Sequence, residues 1–152
     1  MRPGDQIAIE IAERVAELPR TEDRLFVAVA GPPASGKSTV AAALCEELSA
    51  RGRSAALLGM DGFHLDNQIL DARGLRSRKG SPQTFDLAGF AAILERLRNE
   101  QEVIAPRFSR KLDASIGSAV VIDASVDLIV VEGNYLLLDR PGWRDLHALW
   151  SY

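Results

Sequence analysis

Apolar residues recur at helical spacing in three segments of the chain. Residues 5–18 place apolar side chains on one face and stop at Pro19, which predicts an amphipathic helix. From Lys37 to Ala50 the same spacing returns, and Gly52 lies just past its end, where glycine is favoured. Asp86 is suited to cap a third helix. The apolar positions of that third helix are Leu87, Phe90, Ile93, Leu94 and Leu97.

Shorter apolar runs between these segments predict strands. Leu25–Ala30, Ser54–Met60 and Leu128–Val131 are typical of strands that are buried on both faces. The first two are expected to be parallel, because a helix crosses between them. Val103–Phe108 and Ser118–Ile122 are expected to pair as a hairpin with a long connection. Strands that alternate with helices predict an α/β fold with a mainly parallel sheet.

Composition and charge narrow the class of protein. A chain of 152 residues that is 47% hydrophobic supports one domain over its whole length. A net charge of -3 lacks the basic excess that nucleic-acid binding uses, so no nucleic-acid partner is expected. The apolar run Leu128–Val131 is too short to insert in a membrane, and Asp5, Glu10 and Glu13 interrupt any signal-peptide core. A cytoplasmic protein is expected, with Cys45 as a buried structural thiol.

A glycine-rich motif lies between the first strand and the second helix. Gly31-Pro-Pro-Ala-Ser-Gly-Lys-Ser38 satisfies GxxxxGK[ST] in the strand–turn–helix context that this motif requires. Such a turn points main-chain N–H groups and a helix N-terminus at phosphates, which predicts ATP binding. Lys37 would reach the outer phosphates, and the Ser38 hydroxyl would coordinate Mg²⁺. The predicted phosphate-binding residues are Gly31, Ala34, Ser35, Gly36, Lys37, Ser38 and Thr39. The alternative is a chance glycine-rich turn.

Two acidic residues follow predicted strands. Asp61 and Glu132 come at the carboxyl ends of their strands, where open parallel sheets bind ligands. Phosphoryl transfer to an alcohol uses a carboxylate that accepts the hydroxyl proton, and this role is assigned to Asp61. Lys37, through its contact with the outer phosphates, is the second predicted catalytic residue. Glu132 follows an apolar strand in the manner of a Walker B acid, so it is assigned to the metal with Ser38. The alternative is that either acid caps a loop.

A wider resemblance covers the chain from about Leu25 to Leu138. After the second strand the chain resembles the bacterial pantothenate kinase pattern in Asp61-Gly62-Phe63-His64, Asn67-Gln68, Arg73-Gly74-Leu75, Lys79-Gly80, Pro82 and Phe85-Asp86. Uridine kinases and phosphoribulokinases share this plan, and the compact N-terminus resembles shorter members described as fructose-transport-system or nucleoside kinases. The resemblance implies a three-layer α/β/α P-loop NTPase fold that uses ATP and Mg²⁺ with Asp61 as the general base. It also implies an acceptor pocket lined from Phe63 to Lys79 and from Phe108 to Lys111.

Individual acceptor contacts are drawn from these segments. The candidates are Phe63, His64, Arg78, Lys79, Phe108, Arg110, Asn134 and Tyr135. A histidine satisfied by the backbone and a solvated run of basic residues are the respective alternatives for His64 and for Arg78 with Lys79. Arg110 stands where the pantothenate kinase pattern has histidine, and Ser109 where uridine kinases have an acid, so neither specificity transfers.

The end of the chain and the competing functions complete the expectations. The chain ends at Tyr152, where the resemblance implies a further strand, a lid helix with arginines and an adenine-binding segment, so a C-terminally incomplete domain is expected. An exposed sheet edge follows, and it favours association such as a homodimer. The leading function is ATP-dependent transfer of the γ-phosphoryl group to a hydroxyl of a sugar, nucleoside or pantothenate-like alcohol. A nucleotide-binding regulatory module or switch without phosphotransferase activity is the alternative.

Overall fold

A computed structural model describes all residues from Met1 to Tyr152 as two compact units. The first unit comprises Met1–Leu58 and Asp123–Tyr152, and the second comprises Gly59–Ile122. The expectation of a single domain over the whole chain stays a prediction. In chain order the α-helices are α1 (Pro3–Ala16), α2 (Lys37–Ala50), α3 (Asn67–Ala72) and α4 (Leu87–Asn99). The strands are β1 (Leu25–Ala30), β2 (Ala55–Gly59), β3 (Val103–Ser109), β4 (Ala114–Ile122) and β5 (Leu128–Gly133).

The sheet of the first unit has the strand order β1-β5-β2. β1 and β5 pair in parallel from Leu25 opposite Leu128 to Ala30 opposite Gly133. All six residues of β5 are buried, as expected for a central strand of a sheet that is covered on both faces. This arrangement confirms the predicted α/β class and shows one parallel pair, β1 with β5. The expected parallel direction of β1 and β2 stays a prediction.

Helices α1 and α2 cover one face of this sheet. They share an apolar cluster with β1 and β5 that includes fully buried Ala12, Leu44, Leu48 and Val130. Cys45 packs at the rim of this cluster and is half-buried, which corrects the expectation of a buried thiol. Its burial still raises the pKa of the thiol to about 11.

The boundary of α1 differs from its prediction. The helix begins at Pro3 rather than at residue 5, because proline suits the first helical position and Arg2 and Asp5 form a reciprocal cap. α2 matches its predicted bounds and is followed by Gly52 with φ +75°, the left-handed geometry that ends a helix.

A buried arginine connects the end of α1 to the rest of the first unit. Arg53 is 3% exposed, and its guanidinium donates to the Asp127 carboxylate at 3.0 Å. It also donates to the carbonyl oxygens of Ala16 and Leu18 at 3.1 and 3.0 Å. A buried charge of this kind is tolerated because its donors are satisfied.

The outer edge of β1 is partly covered by the last residues of the chain. The Ser151 N–H donates to the Phe26 carbonyl at 2.7 Å, and the Ala28 N–H donates to the Tyr152 carbonyl at 3.0 Å. The expectation of an exposed edge is therefore wrong for the Phe26–Ala28 part of β1, because backbone groups of the same chain pair with it.

The second unit contains the antiparallel hairpin of β3 and β4. The register shifts between Ala105 and Arg107, at the position of Pro106, where proline removes a ladder donor. β4 begins at Ala114 rather than at the predicted Ser118, so residues 110–113 form a short turn and the predicted long connection is wrong. The turn closes because Asp113 takes a left-handed backbone angle, φ +51°.

Helix α4 provides the core of the second unit. Asp86 caps it by accepting from the Gly89 N–H at 2.9 Å, which confirms the predicted cap. Phe90, Leu94 and Leu97 form its buried face, and the Phe90 ring lies 4.9 Å from that of Phe63.

No helix of the protein combines the length and the apolar character that a membrane crossing requires.

Candidate phosphate-binding turn and acceptor-side cluster

The turn between β1 and α2 has the backbone geometry of a phosphate-binding loop. Gly36 has φ +85° and Ala34 has φ +59°, which turns the chain sharply just before the helix begins at Lys37. The Ser35 N–H donates to the Pro32 carbonyl at 3.3 Å, and the Lys37 ammonium lies 3.4 Å from that carbonyl. The first N–H groups of α2 have no partner within the helix, so they point outward as donors for an anion.

Ser38 and Glu132 come together beside this turn. The Ser38 hydroxyl donates to Oε1 of Glu132 at 3.1 Å. Glu132 belongs to β5 and is only 7% exposed, whereas Ser38 lies in the first turn of α2. The parallel pairing of β1 with β5 explains this contact, since it places the end of β5 next to the strand that leads into the turn.

The chemistry of this pair fits magnesium. One hydroxyl oxygen and one carboxylate are hard oxygen ligands, and Mg²⁺ is usually held by one or two protein oxygens together with water and phosphates. Nowhere in the protein do three or more histidine, cysteine or acidic side chains form a metal-binding group. The arrangement therefore suits a metal that arrives with a nucleotide rather than one caged by protein ligands.

The two residues after Glu132-Gly133 have different surroundings. Asn134 is half-buried, and its Oδ1 is buried without a hydrogen-bond partner in the protein. The Tyr135 ring packs 5.6 Å from that of Trp143 in an edge-on geometry. Of the two, Asn134 has the polar atom that a ligand would satisfy.

Asp61 lies in the second unit, in a 3₁₀ helix of Met60–Phe63 that follows β2. The predicted strand Ser54–Met60 is thus one residue shorter at each end, and Asp61 is half-buried. Its carbonyl oxygen accepts from the His64 N–H at 3.2 Å and lies 2.7 Å from His64 Nδ1. A carbonyl only accepts, so Nδ1 carries the proton and Nε2 is the nitrogen available to a ligand.

Aromatic rings stack on His64, which contacts the Asp61 carbonyl. The His64 ring lies between those of Phe85, at 4.2 Å, and Phe108, at 4.7 Å. The Lys79 ammonium is 5.6 Å from the centre of the Phe108 ring. We call Phe85, His64 and Phe108 the aromatic wall. Phe85 is buried, whereas the half-buried rings of His64 and Phe108 are suited to an organic ligand.

Other predicted acceptor contacts have different environments. The Phe63 ring is buried against Phe90 in the core of the second unit. Arg78 and Arg110 are exposed. Lys79 is largely buried and hydrogen-bonded, in contrast to a solvated basic run.

Several features of this cluster were missed by sequence reasoning. The Ser115 hydroxyl donates to the Gly62 carbonyl at 2.6 Å, and a Cβ at Gly62 would meet the Pro106 carbonyl oxygen at 2.8 Å. Glycine is needed there because the opposing atom is backbone and cannot move aside. Asp113, which pairs with Lys79, was also missed. In the sequence, Phe85 was indicated only by the Phe85-Asp86 pair of the pantothenate kinase pattern.

Comparison with curated proteins gives relatives that are all longer than this chain. No family model matches it. It is 34% identical over 154 residues to a Schizosaccharomyces pombe protein named "Putative uridine kinase C227.14", covering 93% of this chain and 64% of that protein. It is 31% identical over 135 residues to "Pantothenate kinase" of Listeria monocytogenes, covering 84% and 44%. The chain thus spans about half the length of the curated relatives it matches.

Comparison with solved structures extends the likeness over nearly the whole chain. A crystal structure of a "putative fructose transport system kinase" from Silicibacter sp. matches with a TM-score of 0.88 and 42% identity, covering 99% of this chain and 72% of that one. A Saccharomyces cerevisiae protein described as "a putative P-loop containing kinase with a circular permutation" matches with a TM-score of 0.78 at 18% identity, covering 97% and 78%. The second match shows the fold alone.

Proposed function

Because this chain belongs to the P-loop kinase superfamily that includes uridine kinases and pantothenate kinases, we propose that it transfers the γ-phosphoryl group of ATP to a hydroxyl of a small molecule. The observation that carries the proposal is the Ser38–Glu132 hydrogen bond beside the turn at the start of α2. That pairing puts an oxygen ligand set next to main-chain donors, which is what a metal–triphosphate complex requires.

Each residue of the turn has a proposed task. The N–H groups of residues 34–39 would hold the phosphates, and Gly31 leaves room for the chain to approach them. Lys37 would neutralise charge that develops on the transferred group. Ser38 and Glu132 would hold Mg²⁺, which when bound neutralises and orients the phosphates.

Asp61 is the proposed general base. A carboxylate can accept the proton of the acceptor hydroxyl as the oxygen attacks phosphorus. His64, which contacts the Asp61 carbonyl and stacks on Phe108, supports this assignment, because aromatic rings and an imidazole nitrogen are suited to position an alcohol. In this scheme Asp61 moves the proton, while the aromatic wall orients the acceptor.

The proposed acceptor is an alcohol of the sugar, nucleoside or pantothenate class. In the second unit the candidates for contact are His64 and Phe108, because they form a half-buried wall. In the first unit the candidate is Asn134, because it has an unsatisfied buried oxygen. We place the reaction in the cytoplasm, where ATP is abundant. The expected homodimer stays a prediction, which light scattering over a concentration series would test.

Matched variants test the two roles separately. ADP release is measured with uridine, pantothenate, D-fructose and D-glycerate as acceptors, and nucleotide binding is measured in parallel by calorimetry. Lys37→Ala should abolish turnover, because the outer phosphates lose their cation. Asp61→Asn should keep nucleotide binding and lose at least about a hundredfold in kcat, the typical contribution of general base catalysis.

The control variant is Glu100→Gln, which removes an exposed carboxylate of the same unit that pairs with Arg96. It should leave turnover unchanged. An active Asp61→Asn variant would remove Asp61 from the role of base. Tight nucleotide binding without turnover on any acceptor would favour the regulatory module instead.

A further inference from the structure

The Lys79 ammonium is saturated by oxygen atoms of its own protein. It donates to Oδ1 of Asn67 at 2.8 Å and to the carbonyl of Asp113 at 2.8 Å, and it pairs with the Asp113 carboxylate at 3.0 Å. An ammonium has three donors, so all three are engaged. The Lys79 side chain is 16% exposed, although Asp113 is 60% exposed.

These contacts connect segments that are distant in the sequence. Asn67 begins α3, Lys79 follows a 3₁₀ helix, and Asp113 ends the turn between β3 and β4. The Asn67 side-chain amide also donates to the Asp113 carbonyl, at 3.4 Å. The pairing with Lys79 lowers the pKa of Asp113, so the carboxylate is charged at neutral pH.

Lys79 also contacts Phe108, which is part of the aromatic wall. Phe108 lies on β3 close to the turn, with the Lys79 ammonium over its ring. His64 in turn stacks on Phe108. A change in the turn at Asp113 would therefore shift the ring that supports His64.

From this arrangement we propose that the Lys79–Asp113 pair is a latch that holds the β3–β4 turn against α3 and so positions the aromatic wall. The inference rests on the proposed kinase function and deepens it. Lys79 is then a positioning residue, and not the direct acceptor contact that the sequence suggested.

Removing Asp113 and removing Lys79 distinguish a latch from a direct contact. Asp113→Asn is the cleanest change, because asparagine tolerates the left-handed angle at this position and loses only the charge. For a latch, Asp113→Asn should raise the acceptor KM about two- to fivefold, the range for a partly exposed ion pair, with kcat changed less. If Lys79 instead binds an anionic acceptor group, Asp113→Asn frees it and the KM falls.

A double-mutant cycle sharpens the kinetic result. Lys79→Met should raise the acceptor KM by a similar or larger factor, and the Lys79→Met, Asp113→Asn double variant should be no worse than Lys79→Met alone. Lys79→Arg, which keeps the charge and several donors, should recover most of the affinity. Glu100→Gln is again the control and should change neither constant. Additive effects in the double variant would overturn the latch.

A spectroscopic measurement tests the latch without relying on catalysis. Carbon-13 aromatic NMR spectra of the full chain should show shifted Phe108 and His64 ring signals in Asp113→Asn, with the Phe90 signal unchanged. Unmoved Phe108 and His64 signals would overturn the latch even if the kinase is active. Shifted signals in a chain that turns over no acceptor would support the latch and count against the proposed function.

Discussion

Glu132→Gln tests the proposed metal-binding pair, Ser38 and Glu132. Glutamine has nearly the same shape and its Oε1 can accept the Ser38 hydrogen bond, so the apo structure should persist. Only the negative charge is lost. Because Glu132 is 7% exposed, replacing a buried carboxylate with a neutral amide should leave the free protein equally or more stable.

The expected effect on ligand binding follows from linkage. At about a hundred times Kd, Mg-ATP stabilises a protein by about 2.7 kcal/mol. For about 150 residues each kcal/mol raises Tm by about 2–4 °C, so the wild-type Tm should rise by about 5–11 °C. A loss of a tenfold to hundredfold in affinity leaves about 0.4–1.4 kcal/mol at the same ligand concentration, or about 1–6 °C.

Thermal unfolding monitored by circular dichroism measures these Tm shifts, with ATP in the presence of either Mg²⁺ or EDTA. The variant should lose the Mg²⁺-dependent part of the shift and keep the part seen in EDTA. Glu47→Gln on α2 is the matched control. Glu47 pairs with Arg51, and its replacement removes the same negative charge at a different position. Equal Mg²⁺-dependent shifts in wild type and Glu132→Gln would refute a metal role for Glu132.

Two further predictions concern the cores of the two units. Burial of Cys45 raises the pKa of its thiol from an ordinary 9.0 to about 11, so at pH 8 its thiolate fraction, and its labelling by a disulfide reagent, should be roughly a hundredfold below that of the unfolded chain. Because the thiol ionises at lower pH in the unfolded chain, the free energy of unfolding should also decline as pH rises from about 9 to 11. Equal labelling rates for folded and unfolded protein would contradict the raised pKa. Phe90→Ala should lower the free energy of unfolding, measured with urea, by about 3–5 kcal/mol, because Phe90 is fully buried and stacks on Phe63. A decrease below about 1 kcal/mol would show that the neighbouring side chains fill the cavity.

Much of the first unit could be predicted because its elements are bounded by clear local signals. Leu25–Ala30 lies between charge and Gly31, and Lys37–Ala50 lies between the glycine-rich turn and Gly52, so both ranges match the structure. Full burial of β5 was visible as an uninterrupted apolar run. The motif also indicated the phosphate turn, since GxxxxGK[ST] needs only neighbouring residues.

The second unit was harder to predict because its decisive contacts are not local. Residues 114–118 lack the apolar alternation of a strand, so the hairpin was placed four residues too late. Lys79 and Asp113 are 34 residues apart, and they meet only because the turn ends in a left-handed angle. Side-chain partners of this kind depend on tertiary placement, which periodicity does not encode.

The strand order β1-β5-β2 has a consequence for biosynthesis. Neighbouring residues of β1 and β5 are about a hundred positions apart in the chain, and the whole second unit is made between them. During vectorial synthesis Ser38 therefore leaves the ribosome long before Glu132 exists. The proposed metal-binding pair of Ser38 and Glu132 can therefore form only after the whole second unit has been synthesised.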